Sequence, residues 1–141
     1  MPADDFTRVA GQLERLVPKT LPDAMHSVVL QGVAIMKRET PRKTGRLSRS
    51  INGRVEAQGK RGIVDTNVAY ATAVDEGTRP HIITPRRARA LFWKGARHPV
   101  RMVRHPGTKG RHFKQHTVER LRPIAEKELS QVFGSALGKI S

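Results

Sequence analysis

Apolar residues at Phe6, Val9, Ala10, Leu13, Leu16 and Val17 recur at intervals of three and four, which is one face of a helix, and predict a first helix over 3–17. Pro18 and Pro22 bracket an expected break. Beyond it Leu21, Met25, Val28, Val29, Gly32, Val33, Ile35 and Met36 mark a second helix, ending near Glu39 because Pro41 disfavours helical geometry at Thr40. Gly32 on that helix either permits close packing or simply costs stability. After a basic turn over 40–46 the period shortens. Residues 47–57 alternate as a strand with Leu47, Ile51 and Val55 inward; Gly59, Lys60, Arg61 and Gly62 make a turn; Ile63, Val64, Val68 and Ala69 continue the apolar signal. The two segments read as a hairpin. A short helical or irregular piece over 70–76 is closed by Gly77.

Residues 78–111 hold Pro80, Pro85, Pro99 and Pro106 and show little periodicity beyond short β-like runs at Ile82-Ile83, Leu91-Phe92-Trp93 and 100–103. This segment reads as an arm or long loop with strand fragments, and loops of that length are functional or become ordered on binding. From 112 onward Val118, Leu121, Ala125, Leu129, Val132, Ala136 and Leu137 step by three and four as a C-terminal amphipathic helix, which Pro123 should kink or divide. The sum is a single α+β domain. Its parts are N-terminal helices (1–39), a hairpin and short helix (40–77), a basic arm (78–111) and a C-terminal helix (112–141), the helices packing on a small antiparallel sheet.

Composition sharpens this picture in two places. At 141 residues the chain has the length of one domain and can bury roughly two-thirds of its unfolded surface. With 4% aromatics, that core must be filled by Val, Leu, Ile, Met and Ala. No cysteine is present, which removes disulfides, thiolate metal sites and cysteine nucleophiles and fits a reducing cytoplasm. The start is acidic and no long apolar run follows it, so neither a secretion signal nor a membrane span is expected.

The second place is charge. A formal net charge of +15 exceeds the magnitude of roughly 2 to 8 that solubility asks of a small domain. Much of the excess is concentrated. Between Gly77 and Val118 there is no Asp or Glu, while Arg79, Arg86, Arg87, Arg89, Lys94, Arg97, Arg101, Arg104, Lys109, Arg111 and Lys114 lie there with five of the six histidines. Like charges repel and oppose compaction, so this segment is built to meet an external anion, either nucleic acid or an acidic protein surface.

Conventional catalytic patterns do not emerge. His112 and His116 have the i, i+4 spacing of paired metal ligands on a helix, but nothing completes a site. Gly107-Thr108-Lys109-Gly110 lacks the spacing and the preceding strand of a phosphate loop, and reads as a turn presenting Lys109. Asp75 and Glu76 read as partners for Arg79 or a neighbouring subunit's arginine. Ser48, Ser50 and Ser130 have no nucleophile-elbow context. No enzymatic activity, cofactor or metal is expected. Within the arm, phosphate contacts with stacking by Phe92 or Trp93 are one reading. Bidentate clamping of carboxylates on a prolyl-stiffened segment is the other, and protein contact is favoured because no dedicated nucleic-acid motif accompanies the charge.

Three strings carry a family resemblance: Thr40-Pro-Arg-Lys-Thr-Gly-Arg-Leu-Ser-Arg-Ser-Ile51; Val68-Ala-Tyr-Ala71 leading to Glu76-Gly-Thr78; and Arg104-His-Pro-Gly-Thr-Lys-Gly110 with a helix after Phe113. In this order, across residues 20–135, the chain resembles the tail-completion, or head-to-tail joining, family of long-tailed bacteriophages. The resemblance implies a virion structural protein of the neck with an α+β fold, assembled in the host cytoplasm. It would form a homo-oligomeric ring, expected to be a hexamer. Connector or stopper proteins would lie on its head side and tail-tube or tail-terminator proteins on its tail side, with DNA in the lumen as a further contact and no membrane. In that setting Tyr70 is expected to anchor the core and the arm to touch neighbours. A standalone basic nucleic-acid-binding protein is the alternative. One departure is visible: family members usually open the last helix with Pro-Phe, where this chain has His112-Phe113.

Overall fold

A computed structural model describes residues 3–139. In chain order the elements are α1 (Ala3–Glu39), α2 (Arg46–Ser50), β1 (Ile51–Glu56), a 3-10 turn (Ala57–Gly59), β2 (Arg61–Thr66), α3 (Ala71–Glu76), β3 (Gly77–Thr78), β4 (His81–Ile83), β5 (Val103–His105), β6 (Thr108–Lys109) and α4 (Phe113–Gly138). The fold is α+β, with terminal helices and small antiparallel sheets. It resolves into two compact units: the segments before Ala69 and after His112 form one, and 69–112 form the other, inserted between β2 and α4.

The expected break at Pro18 and Pro22 does not occur; one helix of 37 residues runs through both prolines. An interior proline costs about 3 kcal/mol, whereas each large apolar side chain fully buried returns about 1.5–3 kcal/mol. The face of α1 buries Val28, Val29, Ile35 and Met36 with Ala24, so packing outweighs local propensity. The Thr20 hydroxyl donates to the Leu16 and Val17 carbonyls at 3.2 and 3.4 Å, in the stretch where the prolines remove two N–H donors. Phe6 and Leu13, expected on the same face, have side chains outside the described residues.

The strand expected over 47–57 begins only at Ile51. Gly45, at φ 73°, turns the chain into the single helical turn α2, and Leu47 is buried from that turn instead of from a strand. The hairpin itself forms as expected, with Ile51 opposite Thr66 and Glu56 opposite Arg61. Its connection is tighter than expected: Ala57, Gln58 and Gly59 all take positive φ, and β2 starts at Arg61. The face carrying Gly53 and Gly62 meets α1. A Cβ on Gly53 would collide with Val29 and Val33, and one on Gly62 would lie 2.6 Å from Val29 and 2.9 Å from the Met25 sulfur. On the opposite face Arg54 bridges Asp65 at 2.6 Å and Glu56 at 2.8 Å. Those hydrogen bonds, Asp65 first, push its guanidinium above its ordinary value.

Helix α4 lies antiparallel to α1. Ser27 and Gln31 donate to Glu128 at 3.1 and 3.2 Å, and toward the other end Glu39 meets Arg120 at 2.7 Å. Gly32 serves close packing: a Cβ there would sit 2.9 Å from Leu121 and 3.1 Å from Val64. Pro123 stands inside α4 without dividing it. As the low aromatic content requires, the buried apolar residues among those described are aliphatic except for Phe113, which is fully enclosed.

Candidate functional site: a rooted cationic ribbon

Residues 69–112 start with the short helix α3, ended by Gly77 at φ 81°. The chain then runs out and back as an antiparallel ribbon. Gly77 pairs with Lys109 and Thr78 with Thr108; His81 pairs with His105, Ile82 with Arg104 and Ile83 with Val103. Both ladders share one register, which sets Pro80 opposite Pro106. Two residues without N–H groups cannot close a rung, so the ladder is interrupted there and resumes beyond. Gly107, at φ 84°, passes so close to Thr78 that a Cβ would strike the Thr78 carbonyl oxygen.

Three features hold this ribbon in place. At its root the Arg111 and His112 N–H groups donate to the Val74 and Asp75 carbonyls at 3.0 and 2.9 Å, satisfying the C-terminal end of α3 with the returning strand. Midway, His81 and His105 stack with ring centroids 4.9 Å apart. A backbone carbonyl can only accept, so His81 Nδ1 carries the proton it shares with Arg79 O at 2.8 Å; a backbone N–H can only donate, so His105 Nδ1 is the bare acceptor of Gly107 N–H at 3.0 Å. Farther out, Leu91 and Val100 exchange two backbone hydrogen bonds of 2.7 and 3.0 Å. Past them a turn closes from Ala96 N–H to the Trp93 carbonyl at 2.9 Å, with Gly95 at φ 97° in its third position.

The arm carries short strand fragments, as expected, and these pair across it, β3 with β6, β4 with β5 and Leu91 with Val100, while 84–90 and 92–99 run as bends and turns between them. The candidate contact residues all fall on this arm. Arg79 lies between β3 and β4; Arg86, Arg87 and Arg89 follow β4; Lys94 and Arg97 flank the tip; Arg101 precedes β5, Arg104 is in it, Lys109 is in β6 and Arg111 is at the root. Every one is exposed, and among the described residues none of the ten forms an ion pair. Lys114 belongs to α4 and has a partner. Interleaved with the cations are exposed apolar side chains: Phe92 (67%), Ile82 (59%), Trp93 and Met102 (50% each). Ile82 and Met102, read from the sequence only as parts of β-like runs, stand exposed as further contact candidates, and the histidine stack was not foreseen. A signal for the stack exists, since Pro80-His81 and His105-Pro106 are mirror images that fall opposite each other when the chain folds back.

Other candidates resolve differently. His112 precedes α4 and only His116 lies within it, so the two share no helix face; His116 instead approaches Glu39 at 3.8 Å. Among the described residues no group of three or more potential metal ligands is assembled, and no described helix is long and apolar enough to cross a membrane. Arg79 does not pair with Asp75 or Glu76. Thr108-Lys109 is a strand segment and not a turn. Ser50 is tied to Thr66 at 2.6 Å, a structural hydroxyl pair. Tyr70, expected in the core, is 41% exposed at the start of α3. His112 adopts φ 52° and donates its N–H to Asp75, neither of which proline can do, so the departure from Pro-Phe is built into the local backbone. No family model, curated protein or solved structure matches the chain.

Proposed function

We propose that this chain is a virion structural protein of the phage neck, a tail-completion protein that forms a ring between the connector and the tail tube and has no enzymatic role. The observation that carries the proposal is the ribbon: ten exposed cations on a rooted scaffold, none of them in an ion pair among the described residues, with large apolar side chains left open between them. Such a surface is an interface awaiting its other half. Arg, Trp, Phe and Met are the residue types enriched where protein surfaces anchor one another.

The resemblance supports the neck assignment, and its strings have structural jobs. The first runs from the end of α1 through α2 into β1, while the second and third supply strands β3 and β6, which pair at the ribbon root. In a six-fold ring the formal charge would reach about +90, so each ribbon must meet acid from a neighbouring protein or DNA in the lumen. Electron microscopy of purified virions, with antibody against the chain, is expected to place it as a ring at the head-tail junction. Its absence from the neck overturns the assignment.

A further inference from the structure

The ribbon carries exposed cations along both of its runs and around its end: Arg79, Arg86, Arg87 and Arg89 on the outgoing run, Lys94 and Arg97 at the end, and Arg101, Arg104 and Lys109 on the return. A groove of duplex DNA suits that arrangement, because it presents phosphates along both sides of whatever enters it. The dimensions agree. Two paired strands lie about 4.8 Å apart, and the major groove, about 12 Å wide, admits such a ribbon with its side chains. Complete exclusion of carboxylates from 77–112 also favours a partner of uniform sign, since protein surfaces mix both charges.

We infer that the partner of the ribbon is duplex DNA, entered by the major groove with the cations spread to the phosphate walls and the Phe92-Trp93 end turned to the base edges. The apolar tip can meet thymine methyl groups there without a donor-acceptor code, so binding is sequence-tolerant. Because β3 is already paired with β6 and β4 with β5, and the root is already capped, less ordering opposes entry than an unpaired loop would face. The inference concerns the purified chain and any duplex, and stands or falls separately from the neck role.

The test is fluorescence anisotropy of the full chain with a 30-base-pair duplex across a potassium chloride series. With six to ten phosphates neutralised, log affinity should fall against log salt with a slope of roughly −5 to −9. The variant R86Q/R87Q/R89Q should lower that slope by about 3, whereas R15Q/K19Q/R38Q, which removes the same charge from exposed positions on α1, should leave it nearly unchanged. Trp93→Ala should weaken binding several-fold at an unaltered slope, with circular dichroism confirming that each variant is folded. Equal losses from the two triple variants, or equal competition per charge by single-stranded DNA or polyglutamate, would refute the groove mode, the last pointing to an acidic protein. Displacement by distamycin, a minor-groove ligand, would refute the choice of groove. No duplex binding by a chain that is found in the neck removes this inference alone; duplex binding as described by a chain absent from the neck removes the neck role alone.

Discussion

Gly107 illustrates how much of the ribbon depends on single backbone positions. Its φ of 84° is open to glycine and strained for other residues, and a Cβ there has the Thr78 carbonyl oxygen in its path and the Arg79 carbonyl carbon 2.9 Å away. Those neighbours are backbone and cannot swing aside. Gly107→Ala is expected to cost about 1–2 kcal/mol from the left-handed conformation alone, with the collision added. The loss should be local: hydrogen exchange at the Thr108 amide, which donates to the Thr78 hydroxyl at 3.0 Å, should quicken while amides in α1 stay protected. Protection unchanged at Thr108 would show that the root tolerates the side chain. At this scale the sequence was partly legible. The exposed cations could be read because no acid stands among them, but the requirement at Gly107 could not, since it is created by a strand thirty residues upstream.

Among the elements, those specified by local period were the easiest to read. The α1 face, the β1-β2 pairing and the C-terminal helix follow from repeats of two or three to four. The helix break at Pro18 and Pro22 was misjudged, and in the arm the expected strand fragments form but their pairing was not foreseen; both outcomes turn on proline. In α1, burial along the helix overrides the missing donors; in the ribbon, prolines face each other across the ladder, so pairing survives on either side. Neither outcome is visible within a short window. The same reasoning makes α4 improvable. Pro123 is exposed, contributes no N–H to the Glu119 carbonyl, and sits in a helix that continues past it. Pro123→Ala is expected to raise stability by about 1–3 kcal/mol, most of the intrinsic proline penalty, read as a higher urea midpoint at constant m-value. A neutral or destabilising result would mean that α4 needs the altered geometry proline imposes.

For the whole molecule the governing quantity is how its charge is divided. Residues 69–112 hold ten Lys and Arg against only Asp75 and Glu76, whereas the buried apolar side chains lie largely on α1, α4 and the elements between α1 and α3. Concentrated charge and burial thus occupy different stretches of chain, and one can be altered without the other. R86E/R87E/R89E leaves seven cations against five carboxylates in 69–112 and touches no hydrogen bond or ion pair among the described residues. The purified variant should keep the helical circular dichroism and the thermal transition of the parent, because surface substitutions away from such contacts shift stability by only about 0.5 kcal/mol. Particle yield in a complementation assay should nevertheless collapse, whether the ribbon meets DNA or an acidic neighbour, since either would now face like charge. If the variant loses its helical signal, these arginines support the fold; if it assembles normally, the cationic ribbon is not the face that joins this protein to its partners.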